Sequence, residues 1–174
     1  ASILFSMIFS RYCFFRLGHV AMVSQALGRN DFPEILNIVI RNLLFVLAIS
    51  IIIILLQNLI LSLSLKIFDF SEATRNLYKQ YFKIRVYSAP GELTLYIITG
   101  LFVGLQKTKT SSFAVGLFSI LNILISIVLV TKFDLNIKGV AYGTLFSALI
   151  TSIIFLIYMF WYLSKYTKIT INFD

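Results

Sequence analysis

Residues 42–65 read NLLFVLAISIIIILLQNLILSLSL, a run without a single charged side chain. A bilayer-crossing helix needs about 20 mostly apolar residues, because in lipid the backbone must satisfy its own hydrogen bonds. The run is long enough, and two more, 110–131 and 139–164, are equally free of charge. Two other windows are long enough but interrupted. Residues 1–28 contain Arg11, Arg16 and His19, and residues 86–106 contain Glu92, with Arg85 at the edge. The reading is an all-α integral membrane protein, a bundle of five transmembrane helices at about 2–28, 42–65, 79–106, 110–131 and 139–164, here called the first to fifth spans.

Composition supports that reading. Of the 174 residues 59% are hydrophobic and 13% charged, with a mean hydropathy of +0.94, against about 25% charged in an ordinary soluble domain. A soluble fold could not cover its surface at that charge content, and 8 glycines with one cysteine exclude collagen-like and disulfide scaffolds. The net charge of +8 resides mainly between the apolar runs, where membrane flanks carry cations, so nucleic acid is set aside as a partner. The lone Cys13 reads as a buried thiol. No metal-ligand cluster, phosphate-binding glycine loop or nucleophile elbow occurs, so an enzyme is not expected. The sequence begins at Ala1 inside an apolar run with no basic leader, which reads as a piece of a longer protein rather than a signal peptide.

The connections are short. Gly28 to Pro33 ends the first span, with Gly28 at the stop and Pro33 beyond it. Asp69 to Lys79 reads as an amphipathic lead-in with Ser71 as a cap before Glu72. Gln106 to Lys109 and Lys132 to Lys138 are turns, and Lys165 to Asp174 is a polar tail. Arg29, Arg41, Lys107, Lys109, Lys165 and Lys168 lie on one side, Lys66, Arg75, Lys79, Lys132 and Lys138 on the other. The positive-inside rule therefore leans narrowly towards a cytoplasmic Gly28 loop.

Polar residues inside lipid are costly, so their alignment is informative. In the third span Arg85, Glu92, Thr99 and Gln106 recur every seven residues, with Ser88 and Tyr96 close to the stripe. In the fourth, Ser112, Ser119 and Ser126 recur likewise, with Asn122 adjoining; in the fifth, Thr144, Ser147, Thr151 and Tyr158 follow helical spacing. Such stripes either face a wet cavity or make interhelical hydrogen bonds worth about 0.6 kcal/mol each. The candidate cavity or substrate-facing residues are Arg16, His19, Arg85, Glu92, Thr99, Gln106 and Ser119. For His19 the alternatives are a helix-end or cavity-facing ring and a proton-handling one. Pro90 predicts a kink, since it cannot donate to the Val86 carbonyl, and Gly91 beside it suggests local freedom, so Pro90 is the candidate hinge. Gly100-xxx-Gly104 and Gly139-xxx-Gly143 predict close helix packing within the chain.

Three stretches resemble a known family. Phe14-Phe15-Arg16-Leu17-Gly18 followed by Gln25-Ala26-Leu27-Gly28-Arg29-Asn30-Asp31 is similar to the second-helix signature of the multidrug and toxic compound extrusion (MATE) transporters. Ile84-Arg85-Val86-Tyr87-Ser88-Ala89-Pro90, then Gly100-Leu101-Phe102-Val103-Gly104-Leu105-Gln106, resembles the fourth helix of their DNA-damage-inducible protein F branch. Leu121-Asn122-Ile123-Leu124, then Gly139-Val140-Ala141, resembles the fifth and sixth. The resemblance implies helices two to six of the N-terminal six-helix lobe of a twelve-helix transporter, with the first helix and the second lobe outside these residues. It further implies a multipass protein of the inner (plasma) membrane that exports organic cations or drugs by alternating access in exchange for Na+ or H+, with no cofactor. Asn122, Ser126 and Thr144 then fall on the family's cation site, with no metal beyond a possible Na+. Ser126 stands where the family usually has an acid, and Ala148 where some members of this branch carry glutamate.

Two other readings remain. A lipid-linked oligosaccharide flippase of the same superfamily would line its cavity with several basic residues for a diphosphate, and the inward cations here are Arg11, Arg16 and Arg85. A non-transporting membrane interaction protein would need no intramembrane Arg or Glu.

Overall fold

The computed structural model describes residues 13–67 and 71–170. The start of the first span, Arg11, and Asp69 of the lead-in lie outside the described residues. All described elements are helical: α1 (Cys13–Gly28), α2 (Phe32–Leu55), α3 (Gln57–Ile67), α4 (Glu72–Arg85), a 3-10 turn (Val86–Ser88), α5 (Ala89–Gly104), α6 (Thr108–Thr131) and α7 (Asn136–Thr170). Four helical stretches among them, Phe32–Leu55, Thr74–Gly104, Thr108–Thr131 and Asn136–Lys165, are long and apolar enough to cross a membrane.

The second span differs from its sequence reading at both ends. Its helix starts ten residues earlier, at Phe32, because the Asp31 carboxylate accepts a bond of 3.0 Å from the Glu34 N–H and Pro33 occupies the first turn. Proline is tolerated there, where its missing N–H has no helical partner anyway. It therefore opens α2 rather than merely closing α1. At the other end the helix is interrupted at Leu56, and α3 resumes at Gln57. Helix α1 does stop at Gly28. The left-handed residue that follows is Asn30, with φ 56°, and the Asp31 N–H donates to the Ala26 carbonyl while the Asn30 N–H donates to that of Leu27, the paired bonds of a Schellman cap.

The helix of the third span begins at Glu72, so the part of the lead-in from Glu72 to Lys79 belongs to it. Ser71 sits at the cap position, but its hydroxyl meets the Thr74 hydroxyl at 2.9 Å and makes no bond to the backbone of the first turn. At the far end the helix tightens. The Ala89 N–H takes the Val86 carbonyl in a 3-10 bond, and α5 restarts with Pro90 in its first turn. The bond that Pro90 cannot donate is thus replaced one residue earlier.

Helix α5 is the centre of the bundle, in contact with α1, α2, α6 and α7, and twelve of its sixteen residues are buried. Gly91 does not provide slack there: a Cβ on it would come within 2.9 Å of the Ala148 carbonyl carbon, so its missing side chain is what lets α5 lie against α7. On the other flank of α5 a Cβ at Gly104 would meet Val23 of α1 at 2.8 Å. Gly143 of α7 faces Ser126 of α6 so closely that a Cβ would stand 2.9 Å from the Ser126 Cα. Both small-residue motifs pack helices of the same chain.

Candidate functional site

The charged residues of the third span come together across the helix break. Arg85 lies at the end of α4 and Glu92 in the first turn of α5. Seven residues separate them, two helical turns, and the Arg85 guanidinium reaches forward through Nη1 to both Glu92 Oε1 and Ser88 Oγ. Ser88 returns the contact by donating to the Arg85 carbonyl at 2.6 Å. The two charged side chains are only 11% and 12% exposed, so each neutralises the other where water offers little help. Glu92 is therefore not a free carboxylate.

Beside this pair lies a cavity of about 170 Å³ between α1, α5 and α6. Arg16, Glu92, Tyr96 and Thr99 supply its polar lining, and Leu95, Ala114, Val115 and Phe118 its apolar walls. The Thr99 hydroxyl is turned back onto its own helix, donating to the carbonyls of Leu95 at 2.8 Å and Tyr96 at 3.2 Å. His19, one turn beyond Arg16, is 2% exposed, and its Nδ1 lies 2.7 Å from Asn42 Nδ2. With the amide donating, the ring proton sits on Nε2, which has no hydrogen-bond partner among the described residues.

A second polar group joins α6 to α7. Asn122 Nδ2 donates to Thr144 Oγ1 at 3.1 Å, and Ser126 Oγ donates to Asn122 Oδ1 at 3.3 Å. Thr144 in turn donates to the Val140 carbonyl at 3.1 Å. Neutral oxygens from two helices thus converge at the point where Gly143 lets the helices touch.

The MatE family matches residues 1–128. The chain belongs to that family. MatE proteins are membrane transporters, not enzymes, which agrees with the absence of enzyme motifs from the sequence. The chain is similar to the DNA damage-inducible protein F of Escherichia coli (strain K12), 28% identical over 149 residues that cover 86% of this chain and 32% of that protein. It also superposes with a TM-score of 0.75 on a structure described as the inward-facing conformation of a multidrug resistance MATE family transporter of the MOP superfamily, at 22% identity and covering 82% of this chain and 32% of that one. The chain spans about a third of the length of these relatives. A MatE fold with several membrane-length helices is a multipass membrane protein.

Within this MatE chain the predicted residues divide into three groups. Arg16, Glu92 and Thr99 line one cavity and Arg85 reaches it through Glu92, while His19 lies outside the lining, between Asn42 of α2 and Gly100 of α5. Asn122, Ser126 and Thr144 meet in the second group. Gln106 and Ser119 join neither. Gln106 is exposed in the turn after α5, with φ 59°, and its N–H closes the helix on the Val103 carbonyl. The heptad spacing carried the stripe one turn past the end of its helix. Ser119 is exposed and donates to the Val115 carbonyl at 3.0 Å, the common back-bonding of a helical hydroxyl. Asn42, the partner of His19, was missed as a site residue because it stood at the edge of a charge-free window. A polar side chain at the margin of a span is the one signal that could have found it.

Proposed function

We propose that this chain is part of one lobe of a secondary active exporter, which moves small organic molecules out of the cell by alternating access in exchange for Na+ or H+. The observation that carries the reading is the placement of an Arg–Glu pair and a small cavity around the most buried helix, at a break in that helix. Such broken helices and midplane polar sites are what rocking transporters use, and Pro90 is the proposed hinge. The Asn122, Ser126 and Thr144 oxygens are the proposed contribution of this lobe to the ion site. Neutral oxygens can hold Na+ but do not titrate near neutral pH, so for H+ coupling the proposed titrating acid is one from outside these 174 residues. A cationic substrate, which the resemblance implies, meets in this cavity a carboxylate already engaged by Arg85. A flippase would ask more cations of the cavity than Arg16, the one that lines it among the described residues.

The test is coupled efflux by the full-length protein. Asn122→Ala should reduce ion-coupled export at least tenfold. If Glu92→Gln abolishes coupling while Asn122→Ala leaves it intact, the ion site is misplaced. The proposed setting is the inner (plasma) membrane with the Gly28 and Lys107 loops cytoplasmic. Thr108→Cys and Asn136→Cys, each exposed at a helix start, test this in a Cys13-free background. An impermeant thiol reagent outside intact cells should label position 136 and not 108.

A further inference from the structure

Among the described residues charge does not balance around the α1–α5–α6 cavity. Arg16 and Glu92 line it, and Arg85 reaches it by gripping Glu92. Two guanidinium groups against one carboxylate leave a surplus of one positive charge. Arg16 carries that surplus, because it is half-buried and makes no ion pair or hydrogen bond among the described residues. Of the other acids among the described residues, Asp31 and Glu34 sit at the start of α2, Glu72 in the first turn of α4 and Asp134 in the turn between α6 and α7, and none lines the cavity. The Arg16 stem is held in place against α5, where a Cβ on Gly100 would lie 3.4 Å from its Cγ. A partly buried guanidinium in a membrane-spanning bundle is costly without a counter-charge.

We infer that this cavity binds the carboxylate of a small organic acid, with Arg16 as the group that grips it. The exporter reading is deepened by this assignment of substrate class, and rests under it only for the passage across the membrane. A guanidinium presents paired N–H donors that match the two oxygens of a carboxylate. A monoanion cancels the surplus charge, whereas a diphosphate overshoots it and a cation adds to it. A cation would also have to displace Arg85 from Glu92. The walls of Leu95, Ala114, Val115 and Phe118 suit an apolar body on the acid. At about 170 Å³ the space is below the roughly 300–1,000 Å³ of drug-sized sites, which fits a single ring or a short chain.

The experiment measures binding to the purified full-length protein in lipid nanodiscs with three probes that share a phenyl ring and a small head group of different charge: benzoate, benzyl alcohol and benzylammonium. Benzoate should bind at least tenfold more tightly than either of the others. Arg16→Gln should lose at least tenfold in benzoate affinity, and Arg16→Lys should restore part of it. Should Arg16→Gln fail to fold, Val115→Phe, which narrows the cavity from α6, should weaken benzoate in its place. Equal or tighter binding of the cation, no benzoate binding, or a benzoate affinity unmoved by these substitutions overturns the inference. An acid reaching Arg16 from outside these 174 residues would give the second of those results. Benzoate that binds through Arg16 but is not exported by cells would uphold the site and sink the exporter reading instead; export of cations with no benzoate binding would do the reverse.

Discussion

Helices α5 and α6 are neighbours, yet they meet their surroundings in opposite ways. In the span that ends with α5, 67% of the most apolar stretch is buried, against 6% in α6. The less buried helix is the more apolar one. Helix α6 exposes Phe113, Ile120, Ile123, Leu124 and Ile127, and only Ser111 and Ala114 are buried along it. Helix α5 encloses Thr94, Thr99 and the Arg85–Glu92 pair at its head. In water such a distribution would be unstable. In a bilayer the hydrocarbon is as apolar as any core, so hydropathy reports which face meets lipid, and polar groups collect inside where they find partners.

The largest expected break in this contrast is at the ion pair. Glu92→Gln or Arg85→Gln alone should destabilise the full-length protein by about 3–5 kcal/mol, the usual cost of orphaning one member of a buried pair. The double change Arg85→Met with Glu92→Leu should recover most of that loss. Removing the Ser119 hydroxyl of α6 with Ser119→Ala should change stability by less than about 0.5 kcal/mol. Thermal unfolding in detergent reads all three, and comparable losses on the two helices would erase the distinction.

Next in size is packing. Gly91→Leu on α5 drives a side chain into the Ala148 backbone and should cost about 1–3 kcal/mol. Gly116→Leu on α6, where a Cβ meets nothing within 4 Å, should be neutral or mildly stabilising by the same assay. A smaller effect is expected where α6 touches α7. Asn122→Ala removes one interhelical bond and should cost only about 0.6 kcal/mol, far less than its effect on coupled efflux. A large loss of stability there would turn the proposed ion site into a structural clamp.

One change has the opposite sign. Gln106 closes α5 in the left-handed region, which costs a non-glycine residue about 1 kcal/mol. Gln106→Gly should raise stability by up to about that amount and leave benzoate binding unchanged. If it weakens binding instead, the glutamine does belong to the cavity.

Much of this was legible in the chain. Charge-free windows are long-range features of composition, and the need to satisfy the backbone inside lipid converts them into helices whatever their neighbours. Spacing alone put Asn122 and Ser126 on one face, and aligned Arg85 with Glu92. The limits of periodicity showed at Gln106, since a stripe has no knowledge of where its helix stops, and at Pro33, where one residue satisfies two opposite boundary rules.

By itself, then, the sequence determined a multi-span helical bundle with polar faces on its third, fourth and fifth spans, because those features depend only on local composition and helical geometry. Only the tertiary structure decided which polar residues share a cavity. It brought Arg16 of α1 to a wall of α5, joined His19 to Asn42, occupied Glu92 with Arg85 and left Arg16 without an ion pair among the described residues. Those pairings depend on where small residues let helices touch, and a contact between helices is a property of two surfaces that neither segment encodes alone.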